Sequence, residues 1–262
     1  MSEQHKGAIL VTGASAGIGA AFARRFAERG SALVLVARRR ERLDALAAEL
    51  TAAHGVRVDV IVADLADPAA PAAIVSAIDR DGVQIVGLVN SAGFGTAAAF
   101  RDEDPVRIAE EVQVNVAALT VLTQLLLPRL IAAAGVLVQV SSNASHQPLP
   151  GLAVYAATKA YVTSLTESIW QETRGTGLKV LALCPGPTDT EFFDVAGSTT
   201  FQVGKVVPVS DVIDAAFREL DRANPGPVLT VGAGNKIQGT VARISPRRLR
   251  LAVAGKLTGG GA

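Results

Sequence analysis

The stretch Ala8-Ile9-Leu10-Val11-Thr12-Gly13-Ala14-Ser15-Ala16-Gly17-Ile18-Gly19 runs straight into the alanine-rich segment Ala20–Arg29. The unbroken apolar run reads as a parallel strand covered on both faces, since a half-exposed strand would alternate polar and apolar residues. Alanine-rich sequence reads as helix. Between them lie three glycines. A turn this tight, if backbone is to approach a ligand closely, tolerates no side chain there. The helix that follows offers free N–H groups and the positive end of its dipole. Strand, glycine turn and helix together make a cradle for a pyrophosphate; the glycines alone would be weak evidence.

Further short apolar runs follow at Ala32–Ala37, Arg57–Val62, Ile85–Asn90, Val136–Ser141, Lys179–Leu183 and Val228–Val231, with helix-length segments between them. Asp67-Pro68 and Asp104-Pro105 each set an N-cap before a proline at the first helical position, and Ser210 is read as the cap of a helix ending near Arg222. Such alternation predicts an α/β fold: a single-domain, Rossmann-like, doubly wound parallel sheet of about seven strands with helices on both faces. No repeat or linker divides residues 1–262. The segment 188–208 lacks periodicity and is expected to be a functional loop. Two short helices are expected after Asn235, the second opening at Ser245-Pro246.

The 262 residues, 49% hydrophobic and with net charge +1, suffice for a full core and argue against nucleic acid as a partner. A single cysteine, Cys184, excludes an internal disulfide and a CxxC metal site, so no metal is expected. The polar start Met1–Lys6 and the lack of an uninterrupted apolar stretch of about 18 residues lead us to expect a cytoplasmic protein. Charge is unevenly spread: after Asp221 there is no acid, and the last 41 residues carry seven cations.

The GxxxGxG spacing after Thr12 is similar to the glycine motif of the short-chain dehydrogenase/reductase family. The second strand ends in Ala37-Arg38-Arg39-Arg40, where an acid would bind the ribose 2′-hydroxyl of NAD. Guanidinium groups suit a 2′-phosphate, so NADP (NADPH) is expected and NAD is disfavoured. Arg38 is taken as the principal contact, assisted by Ser15, with Arg39 beside it; Arg40 is read as a solvated helix start. The cofactor set expected from cradle and resemblance is Gly13, Ser15, Ala16, Gly17, Ile18, Gly19, Arg38 and Arg39, then Asp64 and Leu65 after the third strand. Asn90, Ala92 and Gly93 follow from Asn90-Ser91-Ala92-Gly93, which resembles the family's NNAG turn. Asp64 is read equally well as an ordinary loop acid.

Tyr155 and Lys159 lie four apart in Leu152–Thr173, which reads as helix, so both point to one side. A free tyrosine titrates near ~10. A lysine cation and an oxidised nicotinamide both favour the phenolate, which would make Tyr155 a general acid/base. Ser142, 13 residues upstream, sits at the carboxyl edge of the fifth strand, where ligands bind in open sheets. The arrangement resembles the family's Ser…Tyr-x-x-x-Lys signature. That resemblance selects Ser142 over Ser141 as the donor to the substrate oxygen, and Asn115 as the fourth catalytic residue, holding a water that links Lys159 to solvent. Pro185, Gly186, Thr188 and Thr190 resemble the family's PG motif beside the nicotinamide, and Tyr155 and Lys159 also count as cofactor contacts.

The implied activity is hydride transfer between NADP(H) and a carbonyl or secondary alcohol. The alternative is a non-catalytic NADP-binding redox sensor on the same fold. Ser142, Asn143, Tyr155, Phe192 and Phe193 are the expected substrate contacts, and the apolar residues of 188–208, which include Phe201 and Val203, favour an apolar substrate; they serve equally well as anchors for the loop. His146 is read as solvent-facing, Cys184 as buried, and Trp170 and Tyr161 as core or subunit interface. The resemblance implies a homodimer or homotetramer. The basic tail, 235–262, has three readings: a helix on an anionic membrane with Leu249, Val253 and Leu257 facing it, docking on an acidic surface of another subunit, or plain solvation. Its modest amphipathic contrast favours the last two.

Overall fold

Seven parallel strands form one sheet: β1 (Ala8–Thr12), β2 (Ala32–Ala37), β3 (Val58–Val62), β4 (Ile85–Asn90), β5 (Val136–Val140), β6 (Lys179–Cys184) and β7 (Val228–Thr230). Their order is β3-β2-β1-β4-β5-β6-β7, and each boundary falls within one residue of its sequence expectation. The structure, a computed structural model, describes residues 7–196 and 205–257. The chain winds outward in two directions from β1 and β4, and that switch point opens a crevice at the carboxyl edge of the sheet.

The principal helices are α1 (Gly17–Glu28), α2 (Arg40–His54), α3 (Ala70–Arg80), α4 (Pro105–Val112), α5 (Leu119–Ala132), α6 (Ala153–Glu172), α7 (Phe192–Ala196), α8 (Val209–Leu220), α9 (Ala233–Ile244) and α10 (Arg247–Leu257). Side chains alternate across each strand, so β1 sends Ile9 and Val11 to one face and Ala8 and Leu10 to the other. The first face packs against Phe22, Phe26, Leu43, Leu50 and Phe217 from α1, α2 and α8. Its opposite packs against Ile74, Ile78, Leu122, Leu126, Leu130 and Ile169 from α3, α5 and α6. Both faces are thus apolar, which is why the strands read as continuous apolar runs.

Several local expectations are revised. Asp104 does cap α4, accepting from the Val106 N–H at 2.9 Å. Asp67 does not cap α3: it closes its own turn by accepting from Ala69 N, and the helix begins three residues later with Pro71 in its first turn. Ser210 lies inside the first turn of α8, whose cap position is Pro208. Between α4 and α5 the chain continues as a π-helical stretch, Gln113–Ala118, so helix runs unbroken over Pro105–Ala132. This stretch is long and apolar enough to cross a membrane by length and composition, although Asn115, Thr120, Thr123 and Gln124 interrupt its apolar run. Its Leu122, Leu126 and Leu130 are buried in the core, so here it serves as a core helix. Both short helices expected after Asn235 are present. Phe201 and Val203 lie outside the described residues, as do 258–262.

Candidate active site

A cavity of about 450 Å³ follows the carboxyl edge of the sheet from the β2–α2 junction to α6 and α7. Gly13, Ser15, Ala16, Gly17 and Ile18 line one side, and Ala92 and Gly93 the facing turn after β4. The glycines here are sterically required. A Cβ on Gly13, which has φ +66°, would lie 2.8 Å from Ala92 N, and one on Gly19 would lie 2.4 Å from the Gly13 carbonyl oxygen. Gly19 is therefore the helix–strand packing glycine and, contrary to the sequence expectation, does not line the cavity. Thr12 Oγ1 accepts from Ser91 N and Ala92 N at 3.1 Å each, which ties the two turns together.

At the β2 end, Arg38, Arg39, Asp64 and Leu65 all line the cavity. Arg39, rather than Arg38, reaches Ser15: its Nε and Nη2 donate to Ser15 Oγ at 3.2 and 3.0 Å. The Glu191 carboxylate, entering from the loop after β6, accepts from Arg39 at 2.8 Å and from Arg42 at 2.5 Å. Both guanidinium groups hold the Glu191 carboxyl below its ordinary range. Arg38 stands open to solvent, 3.8 Å from Asp64.

Asn90 departs from its expected role. It is 3% exposed, and its amide donates to Thr123 Oγ1 and Gln139 Oε1 at 3.0 and 2.9 Å. Gln139 is its sheet neighbour on β5, so the side chain turns inward to a closed polar network and away from the cavity.

At the other end Ser142, Asn143, Tyr155 and Lys159 converge with Pro185, Gly186, Thr188, Thr190, Phe192 and Phe193. The two adjacent serines both line the cavity, but the Ser141 hydroxyl is buried and occupied with the Lys159 carbonyl and Thr163. Ser142 takes the cap position of the Asn143–His146 turn, accepting from Ala144 N at 3.1 Å. The Phe192 ring packs on Tyr155, ring centroids 5.1 Å apart, and a Cβ on Gly95 would lie 2.8 Å from the Tyr155 ring. Lys159 Nζ donates to the Val140 carbonyl at 2.9 Å.

Burial dominates the electrostatics. It pushes the Tyr155 phenol up to about 12, although a hydrogen bond with Ser142 pulls the other way. Burial also drives the Lys159 ammonium down to about 8, and the Glu111 carboxylate opposes that. In the protein alone burial therefore decides the direction for Tyr155, and the group that opposes it is Ser142. Cys184, fully buried under the Pro-Gly turn, has its thiol raised by burial.

Asn115 does not line the cavity. Its side chain clamps the neighbouring loop: Nδ2 donates to Phe94 O at 2.8 Å and to Thr158 Oγ1 at 3.2 Å, and Oδ1 accepts from Phe94 N at 3.2 Å. It sits in the π-helical stretch, a distortion that recurs at functional sites. His146 is not solvent-facing: it lines the cavity, and its Nε2 bonds Thr230 Oγ1 at 3.1 Å. Trp170 is partly buried with its indole donating to Pro225 O, and Tyr161 is largely exposed. Sequence reading missed Phe94 and Arg107 in the lining, because neither belongs to a local pattern. It also missed Glu111, whose one signal is its place a helical turn before Asn115. Among the described residues no group of His, Cys, Asp and Glu is placed to hold a metal.

The model of the short chain dehydrogenase family matches residues 7–200. Sulfoacetaldehyde reductase 2 of Chromohalobacter salexigens is 37% identical over 187 residues, 70% of this chain and 73% of that protein. A short-chain dehydrogenase from Sphingobium yanoikuyae, solved with NADPH, superimposes with TM-score 0.80 and 35% identity over 92% of this chain and 96% of its own. The bulky-bulky ketone specific alcohol dehydrogenase of Comamonas testosteroni gives TM-score 0.77 and 32% identity over 92% and 93%. With its crevice, its glycine turn and these likenesses in hand, the chain belongs to the short-chain dehydrogenase family of oxidoreductases.

Proposed function

We propose that this oxidoreductase uses NADP(H) and that Tyr155 is its general acid/base, acting on an apolar ketone or secondary alcohol. The observation that carries the reading is the convergence of Ser142, Tyr155 and Lys159 at one end of a cavity whose other end holds Arg38 and Arg39. The residues fit a dinucleotide: the turn admits no Cβ at Gly13, and two cations stand at the adenosine-ribose end with no acid at position 38. Gly13–Ile18 would hold the pyrophosphate, Arg38 and Arg39 a 2′-phosphate, and Pro185–Thr190 the nicotinamide half. The nicotinamide, when bound, supplies or accepts the hydride.

The chain's own residues manage the proton. In reduction Tyr155, protonated across the neutral range, donates to the carbonyl oxygen; in oxidation it first releases that proton to solvent and, as the phenolate, accepts from the hydroxyl. Ser142 donates to the same oxygen and steadies its developing charge. Lys159 brings positive charge beside the phenol, and Asn115 holds the loop that faces them. Phe94, Val114, Leu149, Leu152, Phe192 and Phe193 make an apolar wall, with Arg107 and Glu110 paired at 3.2 Å on its rim. We expect a cytoplasmic homodimer or homotetramer, Val121 and Tyr161 being exposed on neighbouring helices.

The test is NADPH oxidation with a carbonyl panel, comparing the native enzyme with Tyr155→Phe. The variant should lose about 10²–10⁴-fold in kcat. Equal activity of both on some substrate would overturn the mechanism, whereas NADPH binding with no turnover of any carbonyl would favour a cofactor sensor. Preferential turnover of sulfoacetaldehyde or small sugars over bulky aryl ketones would overturn the apolar substrate class.

A further inference from the structure

Glu111 is fully buried on α4, one turn before Asn115. Its Oε2 accepts from Thr96 N at 3.0 Å and from Thr96 Oγ1 at 2.8 Å. Its Oε1 is buried and has no hydrogen-bond partner among the described residues. An ionised carboxylate held this way is costly unless a cation compensates it. The one other buried charged side chain among the described residues is Lys159. The loop from Gly93 to Thr96 touches both: a Cβ on Gly93 would lie 2.8 Å from Asn115 Oδ1 and 3.3 Å from Lys159 Nζ, and three residues later the same loop is fastened to Glu111. Asn115 offers no charge and is occupied with Phe94 and Thr158.

We propose that Glu111 is the buried counter-charge of Lys159, a positioning residue that keeps the lysine protonated beside Tyr155. The inference rests on the role given to Lys159 above. Lys159 is faced by Tyr155 on its own helix, by the Val140 carbonyl at the end of β5, by Cys184 on β6, and by Asn115 and Glu111 on the long helix. Tyr155 and Cys184 are held in their neutral forms by burial, which leaves Glu111 as the anion. Facing Glu111 are Thr96, Glu103 and Lys159; burial raises its carboxyl above the ordinary range and Glu103 adds to that, while the two hydrogen bonds from Thr96 and the charge of Lys159 favour the ionised form. Arg107 and Glu110, also on α4, are paired with each other.

The sign follows directly. Burial lowers Lys159 and Glu111 raises it, so removing the carboxylate charge lets the lysine lose its proton at lower pH. Glu111→Gln keeps an acceptor for Thr96 and removes only the charge, whereas Thr96→Val removes the hydrogen bond and keeps the charge. In protein labelled with ¹³C at lysine Cε, with the resonance assigned through Lys159→Met, E111Q should move the Lys159 titration down by about one unit or more. T96V should leave it within a few tenths of a unit. An unmoved transition in E111Q, or an equal movement in T96V, overturns the proposal. Should E111Q fail to fold, the reciprocal measurement serves: the ¹³C-carboxyl titration of Glu111 should rise by a similar amount in K159M, and no rise overturns the proposal. No substrate is present in either titration, so absence of turnover with every carbonyl tested would count against the proposed function and leave this result readable.

Discussion

Tyr155 enters the cavity with its proton held harder than in water, and Lys159 with its proton held more loosely. Both displacements come from one cause, desolvation, which penalises whichever form is charged. A YxxxK spacing shows only that two side chains share a helix face; depth decides what the pair does. At the other end of the cleft the arginines follow a similar pattern. The run Arg38-Arg39-Arg40 announces a need for an anion, while the structure assigns different partners to each: Asp64 near Arg38, Ser15 and Glu191 on Arg39, Asp44 near Arg40. Replacing Arg38 and Arg39 together with alanine should raise the NADPH Kd by about 10–100-fold, at 1.5–3 kcal/mol for charge-assisted bonds, and leave NADH binding within about twofold. Fluorescence titration of the two cofactors checks this, and equal weakening of both would remove these residues from the 2′-phosphate site.

The β1–turn–α1 unit shows how much an element can depend on a missing side chain. Gly19 begins the second half of the first helical turn and sits where the Gly13 carbonyl passes, so α1 lies close on the end of β1 only because Gly19 carries no Cβ. The same closeness lets Phe22 reach full burial against Phe26 and Phe217, ring centroids 6.2 and 5.8 Å away. Gly19→Ala forces helix and turn apart and should cost about 1–3 kcal/mol by overpacking. A melt of the variant should fall by several degrees, and an unchanged melting temperature would mean that α1 shifts freely on the sheet. The sequence showed this glycine clearly but not its purpose: it was read as a ligand contact, and it is a packing contact. Asn90 was misjudged for the same reason, since its neighbours Thr123 and Gln139 lie on elements far along the chain.

For the molecule as a whole, the sheet accounts for the strands and helices through α8, and α9 adds Gly239 to the cavity wall. The basic C-terminal helix α10 sits apart from that scheme. It buries Ala254 and leaves Leu249 and Val253 about half exposed, at 57% and 48%. Arg247, Arg248 and Lys256 lie beside them, also exposed. Docking of this face on an acidic surface of another subunit and plain solvation are the two readings its charge favours, and docking has a direct test. A chain ending at residue 244 should then show a smaller native mass by light scattering than the full-length protein. Unchanged mass, combined with co-sedimentation on anionic vesicles that disappears in the truncated chain, would place the helix on a membrane instead.

Features set by neighbours along the chain were legible without coordinates: strand positions, the glycine turn, the Asp104 cap, and the shared face of Tyr155 and Lys159. Each depends on backbone geometry and on periods of two or 3.6 residues, and these act over a few residues. The inward turn of Asn90, the Arg39–Ser15–Glu191 contact, the enclosure of His146 and the placing of Glu111 near Lys159 required the folded chain. Those depend on which distant segments the sheet brings to one edge, and burial there alters charge and hydrogen bonding in ways that no residue type or spacing encodes locally.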